Sequence, residues 1–115
     1  MNYIDGYVIP VPKENRDAYI ALAKLAAEIF KEVGALRVVE NWAEDVPAGK
    51  LTSFPMAVKC EPNEVVVFSW VEWPSKQARD EGQKRFMADK RLEPFDMPFD
   101  GKRMIFGGFQ TILEK

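Results

Sequence analysis

The ten residues EVVVFSWVEW, residues 64–73, restrict the folds open to this chain more than any other segment. Alternation along a β-strand places Val66, Phe68 and Trp70 on one face. The opposite face carries Val65, Val67, Val71 and Trp73. A strand that is apolar on both faces is typical of the interior of a sheet that is covered on both sides. Any fold proposed for the chain must therefore cover both faces of this strand.

The segments before this strand alternate between strand and helix periodicity. Residues 3–11 read as a strand, and residues 35–44 read as a second strand. Between them, apolar residues recur at intervals of three and four, which predicts a helix that begins near Glu14. Its stripe consists of Tyr19, Leu22, Ala26, Ile29 and Val33. Gly34 follows as the residue that can adopt the left-handed conformation at a helix end.

The segments after the strand complete the pattern. Ser75 is a good N-cap for a second helix over residues 75–88, and residues 103–113 read as a last strand. Gly82 lies within this helix, where it indicates either a close approach to the sheet or room for a ligand. The order β-α-β-β-α-β predicts an α+β fold of the ferredoxin-like type, in which a four-stranded antiparallel sheet carries two helices on one face.

This arrangement leaves the other sheet face without a helix, although the strand at 64–73 is apolar there too. We therefore predict a homodimer in which a second copy of the chain covers the helix-free face. The length of 115 residues predicts a single domain, residues 1–115. Residues 45–63 form a long connection, which we interpret either as an arm that embraces the dimer partner or as a flap over a pocket.

Composition limits the chemistry. The chain has no histidine and one cysteine, which excludes His-ligated haem and Ser-His or Cys-His nucleophile pairs. A site for Mg²⁺ or Ca²⁺ made of carboxylates alone stays open, but no Asp/Glu loop of the EF-hand type is present, so no cofactor and no metal are predicted. A net charge of −2 without a basic stripe indicates no nucleic-acid partner. No apolar run approaches the length of a membrane span, and the N-terminus has no secretory signal, so we expect no membrane association and a cytoplasmic location.

Four motifs carry a resemblance to a known family. The chain contains YIDGYVIPVPK, VPAGKLTSFPMAVK, VVFSWVEWPS and DMPFDGKRMIFGGF. Together they resemble the YbaA-like family, a bacterial family described as a domain of unknown function, over nearly the whole chain. The resemblance implies membership of the dimeric α/β-barrel superfamily, in which two ferredoxin-like subunits pack sheet against sheet. Relatives at that level include cofactor-independent monooxygenases, muconolactone isomerase and haem-dependent chlorite dismutases, so the resemblance implies a fold and a dimer but no reaction.

The segment FDMPFDGKRMIFGGFQ supplies the first candidate site. Asp96, Asp100 and Arg103 form either an ion-pair cluster that pins a turn or a catalytic group. Under the catalytic interpretation, Asp96 or Asp100 is the general base, and Arg103 binds an anionic or enolisable substrate. Gly107 and Gly108 within the last strand indicate a bend, or a close approach of another backbone or a ligand.

Aromatic residues on the strands supply the second candidate site. These residues form either part of the core or a pocket for an aromatic substrate. The candidate substrate-binding residues are Asn41, Trp42, Trp70, Glu72 and Phe106. The best functional hypothesis is a protein that binds a small apolar or aromatic molecule, neutral or anionic, or a cofactor-independent enzyme acting on one. The alternative is a non-catalytic structural or stress-related interaction protein.

Overall fold

The protein has an α+β architecture built on one sheet, and the computed structural model describes residues 2–115. Residue 1 of the predicted domain lies outside the described residues. Within them, the four strands are β1 Tyr3–Pro12, β2 Arg37–Trp42, β3 Glu64–Trp73 and β4 Ile105–Gln110. The three helices are α1 Arg16–Glu32, α2 Phe54–Ala57 and α3 Lys76–Ala88, and a 3-10 turn at Lys13–Asn15 precedes α1.

The sheet is antiparallel throughout, with the strand order β2-β3-β1-β4. Strand β3 lies between β2 and β1, which confirms the interior position predicted from its two apolar faces. Helices α1 and α3 pack on one side, where the rings of Phe30 and Phe86 stack with 3.9 Å between their centroids. The ring of Phe30 also meets the fully buried Trp73 edge-on. We call this side the covered face of the sheet, and the other side the open face.

Helix α1 confirms the apolar stripe predicted from the sequence, because Tyr19, Leu22 and Ile29 are all buried. Gly34 follows the helix with a φ of 114°, which is the left-handed conformation expected of it. The amide of Ala35 then donates to the carbonyl of Phe30 at 2.9 Å. Ala35 thus belongs to the helix end, and β2 begins at residue 37 rather than at the predicted residue 35.

Strand β4 is shorter than the predicted segment 103–113. It pairs with β1 from Ile105, opposite Val8, to Gln110, opposite Tyr3. β1 begins at Tyr3, and within residues 2–115 the pairing of β4 continues past Gln110 only as the hydrogen bond from the Thr111 amide to the carbonyl of Asn2. Gly107 and Gly108 pair in regular register. The backbone of Gly108 lies against the Tyr3 hydroxyl and Arg79. Close approach therefore explains Gly108.

Helix α3 begins as predicted, since the Ser75 hydroxyl accepts a hydrogen bond from the amide of Ala78 at 3.1 Å. Gly82 is buried where α3 crosses the sheet. A Cβ atom there would overlap the indole of Trp73 and lie 2.9 Å from the carbonyl of Val33. The interpretation of Gly82 as a close approach to the sheet is confirmed.

The short helix α2 was not predicted. Its Phe54 ring packs on Phe68 of the open face, with 5.7 Å between the centroids. The Ser53 side chain caps it by accepting from the amide of Met56. The open face is therefore not free of helix at every point, because α2 covers one end of it. The rest of that face exposes apolar side chains: Phe68, Ile105 and Phe109.

Candidate functional site

A cavity of about 610 Å³ lies between the covered face and helices α1 and α3. It is partly open to solvent. Its wall is mainly apolar, with aromatic, methionine and leucine side chains concentrated on α3, the 89–104 connection and β4. These side chains are Phe86, Met87, Leu92, Met97, Phe99, Met104 and Phe106. Flexible methionine side chains adapt to irregular apolar partners, so this wall suits an apolar molecule.

A row of polar side chains crosses the floor of the cavity. In the strand register, Glu40 of β2 lies opposite Ser69 of β3, and Ser69 lies opposite Tyr7 of β1. Tyr7 is in turn opposite Phe106 of β4. Directly paired residues of antiparallel strands point to the same face, so the polar side chains of Glu40, Ser69 and Tyr7 form one line, which ends at the ring of Phe106. All four line the cavity.

Helix α1 adds a hydroxyl group to one end of this row. The buried Tyr19 donates a hydrogen bond from its hydroxyl to Glu40 Oε1 at 2.6 Å. Burial of the Tyr19 hydroxyl, together with the nearby charge of Glu40, raises the pKa of this tyrosine. Glu40 as a residue is exposed at the edge of the sheet, but burial of its carboxyl group raises its pKa. Hydrogen bonds from Tyr19 and Ser69 oppose that rise.

A second polar cluster is centred on Asp5, which is only 3% exposed. Asp5 Oδ2 accepts from Trp73 Nε1 at 2.9 Å and from Gln83 Nε2 at 3.0 Å. Arg79 of α3 completes the cluster with Nε 3.0 Å and Nη2 2.8 Å from Asp5 Oδ1. The hydrogen bonds to Asp5 raise the pKa of Arg79, so this guanidinium stays charged. The Asp5 carboxylate is saturated by donors and serves to hold β1, β3 and α3 together.

Gln83 links the Asp5 cluster to the polar row. Its amide nitrogen donates to Asp5 and is 3.4 Å from the Tyr7 hydroxyl oxygen. The carboxylate of Asp5 can only accept, which fixes the orientation of the Gln83 amide group. Because the Tyr7 oxygen acts as the acceptor in this contact, its proton is available to a ligand. Burial raises the pKa of Tyr7, so the hydroxyl keeps that proton.

A smaller cavity of about 370 Å³ lies on the outer side of the row, between α1 and the edge strand β2. It shares Tyr19 and Glu40 with the larger cavity. Arg16 and Lys24 line this smaller cavity, and the Arg16 guanidinium lies 5.5 Å from the centroid of the Trp42 ring. The Tyr19–Glu40 hydrogen bond therefore stands between the two cavities.

The structure places the predicted catalytic residues outside both cavities. Arg103 forms a two-bond ion pair with Glu64, at 2.6 and 2.7 Å, and a further contact with Asp100 at 2.9 Å. It also donates to the carbonyl of Lys59 at 2.8 Å. The Arg103 hydrogen bonds lower the pKa of both Glu64 and Asp100. These contacts join the turn before β4 to the start of β3, which favours the turn-pinning interpretation. Asp96 is exposed and does not join the cluster.

The predicted substrate-binding residues lie on opposite faces of the sheet. Asn41 and Trp42 both line the smaller cavity, and Phe106 lies on the wall of the larger cavity. On the open face, Trp70 Nε1 donates to Glu72 at 3.1 Å, and Glu72 pairs with Arg37 at 2.6 Å. The Asn41 amide donates to the backbone carbonyl of Phe68 at 2.9 Å. The structure therefore brings Asn41 and Trp42 together and Trp70 and Glu72 together, but it does not join all five residues in one site.

Sequence reasoning found Phe106 but missed the polar residues Asp5, Glu40 and Ser69 of the cavity floor, although a signal for them was present. Asp5, Glu40 and Ser69 each occupy the position in their strand that alternation assigns to the covered face. Each one stands among apolar neighbours two residues away in both directions. A polar residue at an inward position of an otherwise apolar strand face indicates either a buried cluster or a binding site.

The residues 45–63 line neither cavity. Through Phe54, this connection packs on the open face instead. Among the residues that the structure describes, no group of three or more carboxylate or thiol side chains is placed to hold a metal ion. No helix within residues 2–115 is both long enough and apolar enough to cross a bilayer.

Comparison with known proteins identifies the family. The uncharacterised protein YbaA of Escherichia coli K12 is 56% identical over 117 residues, covering 100% of both chains, and the protein of the same description from Shigella flexneri matches equally. A de novo designed protein, Foldit4, has 13% identity and a TM-score of 0.48 over 96% of this chain and 99% of its own. That likeness is too low to carry an argument. Residues 2–101 match the family described as "Protein of unknown function (DUF1428)". This chain therefore belongs to the DUF1428 family.

Proposed function

We propose that the protein binds a small, largely apolar molecule in the cavity between the covered face and helices α1 and α3. The observation that carries this proposal is the shape and chemistry of the cavity. It has about 610 Å³ of space, an aromatic and methionine wall, and a line of polar groups across its floor. Ligand sites in proteins typically combine a mainly apolar wall with a few fixed polar groups.

The polar groups at the floor are held in position before any ligand arrives. Asp5 orients Gln83, and Gln83 lies against the Tyr7 hydroxyl. Glu40 is held by Tyr19 from α1. A site whose polar groups are already ordered loses less conformational entropy when a ligand binds. Such ordering supports a binding role over a void left by imperfect packing.

A variant that fills the cavity tests this proposal. Ala26 of α1 lines the large cavity, and Ala26→Phe places a ring inside it. We expect 2-methylnaphthalene to raise the melting temperature of the unmodified protein, because a ligand that binds only the folded state stabilises it. In Ala26→Phe the increase should be absent.

Ala21→Phe is the matched control, because Ala21 is on the same helix but exposed. It should retain the full increase in melting temperature. If 2-methylnaphthalene has no effect on the unmodified protein, or the same effect on all three proteins, binding in this cavity is refuted.

We further propose that the monomer is a ferredoxin-like unit and that two copies assemble as a dimeric α/β barrel through their open faces. The strand order β2-β3-β1-β4 is compatible with that arrangement. The open face exposes Phe68, Ile105 and Phe109, and Phe109 is 61% exposed. Large exposed apolar patches mark interaction surfaces. A two-fold axis buries the same patch on both copies, so a second copy of the chain is the proposed partner.

The same surface favours a second candidate function. If the cavity takes no ligand, the exposed apolar area of the open face points to a non-catalytic interaction protein. The two candidates differ in which face of the sheet is essential. If the protein acts by binding a ligand in the cavity, Ala26→Phe should abolish its function. If it acts as an interaction protein through the open face, Ala26→Phe should leave its function intact.

A further inference from the structure

The polar row and the Asp5 cluster together give the large cavity an uneven distribution of charge. Asp5 and Glu40 are the carboxylates among the described residues that line the large cavity, and Arg79 is the cation. Arg79 is engaged by Asp5 and also contacts Asp80 at 3.0 Å. Its charge is thus already compensated. The cavity therefore has a carboxylate, Glu40, without a cation assigned to it.

The contacts of Glu40 show what compensates this carboxylate. Tyr19 donates to it at 2.6 Å, and the Ser69 hydroxyl hydrogen bonds to it. Both of these donors are uncharged. In the described part of the chain Glu40 takes part in no salt bridge, and Arg16 and Lys24 lie on its other side, in the smaller cavity.

The two carboxylates at the floor therefore differ in remaining hydrogen-bonding capacity. An ionised carboxylate has about four positions that can accept a hydrogen bond. Asp5 receives donors from Trp73, Gln83 and Arg79, which include a two-bond contact from the guanidinium group. Glu40 receives two hydroxyl groups and keeps acceptor positions that a ligand can use.

We propose that Glu40 binds the polar end of the cavity ligand, and that it selects ligands that donate a hydrogen bond, such as phenols, alcohols or amines, over carboxylates. This inference rests on the proposed function, because it assumes that the large cavity is a binding site. A phenol or an amine places a donor against Glu40, which is a hydrogen bond strengthened by the charge of the acceptor. A carboxylate would bring a second negative charge into a partly dry site. Tyr7 supplies a neighbouring donor for any acceptor atom on the same ligand.

Three molecules with one ring system test this inference. They are 2-methylnaphthalene, which has no polar group, 2-naphthol, which is an uncharged donor at neutral pH, and 2-naphthoate, which is an anion. Dissociation constants for the unmodified protein are measured at pH 7 by titration calorimetry. We expect 2-naphthol to bind roughly tenfold more tightly than 2-methylnaphthalene, as a hydrogen bond to a charged group implies. We expect 2-naphthoate to bind more weakly than 2-methylnaphthalene.

The variant Glu40→Gln removes the charge and preserves the shape of the side chain. It should reduce the preference for 2-naphthol to about threefold or less, since a neutral hydrogen bond is weaker, and it should improve binding of 2-naphthoate. Glu44→Gln is the matched control, because Glu44 is exposed and lines neither cavity. The control should keep the order of the three ligands.

The outcomes separate this inference from the proposed function. If none of the three molecules binds, the cavity is not a ligand site, and both proposals are overturned. If 2-methylnaphthalene binds but 2-naphthoate binds as tightly as 2-naphthol, the cavity is a ligand site and the role of Glu40 is overturned. If Glu40→Gln keeps the full preference for 2-naphthol over 2-methylnaphthalene, the role of Glu40 is likewise overturned. The order of the three ligands on the unmodified protein decides the question even if the variant fails to fold.

Discussion

The two faces of the sheet are built from the same four strands but carry different kinds of side chains. The covered face carries Asp5, Glu40 and Ser69 among apolar residues, and each polar group has a partner. The open face exposes aromatic and aliphatic side chains, and its charges lie at the edge, where Arg37 pairs with Glu72. The cavity adjoins the first face, and the proposed partner subunit covers the second. Strand alternation thus places the proposed binding site and the proposed interface on opposite faces of one sheet.

The largest expected effect concerns the open face. Ile105→Arg places a charge in the proposed interface, and in a two-fold dimer each arginine faces the patch of the other copy. We expect the mass from light scattering to fall from about 26 kDa, twice the chain mass, to the 13.2 kDa of one chain. Leu36→Arg is the matched control, because Leu36 is equally exposed, 45%, and precedes an edge strand. It should remain dimeric. If light scattering shows that the unmodified protein is a monomer at high micromolar concentration, the proposed dimer is refuted.

The covered face should respond most strongly to the loss of Asp5. Asp5→Ala removes the acceptor of Trp73 and Gln83 and leaves Arg79 without its main partner. Breaking a buried ion pair from one side is strongly destabilising, so the free energy of unfolding in urea should fall by about 3 kcal/mol. Asp80→Ala removes the exposed carboxylate from the same arginine and should have a much smaller effect. Equal losses in the two variants would show that the Asp5 cluster does not support the cavity floor.

A smaller loss of stability is expected where α3 crosses the covered face. Gly82→Ala adds a methyl group that overlaps the indole of Trp73. Inserting volume into a packed core lowers the free energy of unfolding by about 1–3 kcal/mol. Gly101→Ala is the control, because a Cβ atom there has no neighbour within 4 Å. Urea denaturation should show a loss only for Gly82→Ala, and a neutral result there would mean that α3 can move away from the sheet.

The smallest expected effect is on the pH dependence of stability, in which Glu40 and Glu64 should behave in opposite ways. Burial raises the pKa of Glu40 in the folded protein. The free energy of unfolding therefore falls as the pH rises from about 4.3, the pKa of Glu in the unfolded chain, through the higher pKa of Glu40 in the folded protein. Glu40→Gln should therefore be more stable than the unmodified protein at pH 7, and this gain should vanish near pH 4. Because Glu40 is exposed as a residue, the gain should be small.

The pKa of Glu64 is shifted in the opposite direction, because the Arg103 hydrogen bonds lower it. Its ionised form stabilises the fold above a pH of about 4.3, and that contribution disappears as the pH falls through the lower folded value. Glu64→Gln should accordingly be less stable at pH 7, with a difference that shrinks in acid. Thermal unfolding between pH 3 and pH 7 measures both variants. The same sign for both would contradict the distinction between a buried carboxyl and an ion-paired one.

Much of the fold followed from local patterns in the sequence. The stripe on α1, the Gly34 helix end, the Ser75 cap and the interior position of β3 were all predicted. The predictions of secondary structure were wrong where the extent of a helix or strand depends on the element that it packs against or pairs with. Strand β4 ends at Gln110 because β1 begins at Tyr3 opposite it. Helix α2 is too short to show a periodic pattern, and its Phe54 packs on a strand that follows it in the chain.

The sequence by itself determined which side chains face each side of the sheet, because alternation along a strand follows from backbone geometry over two residues. It therefore contained the inward positions of Asp5, Glu40 and Ser69. Only the tertiary structure decided which of these residues meet. The register places Glu40 beside Ser69, and helix docking brings Arg79 to Asp5 across 74 residues of chain. Arg103 binds Glu64 across 39 residues for the same reason. Such pairings arise from the packing of whole elements, which no local pattern encodes.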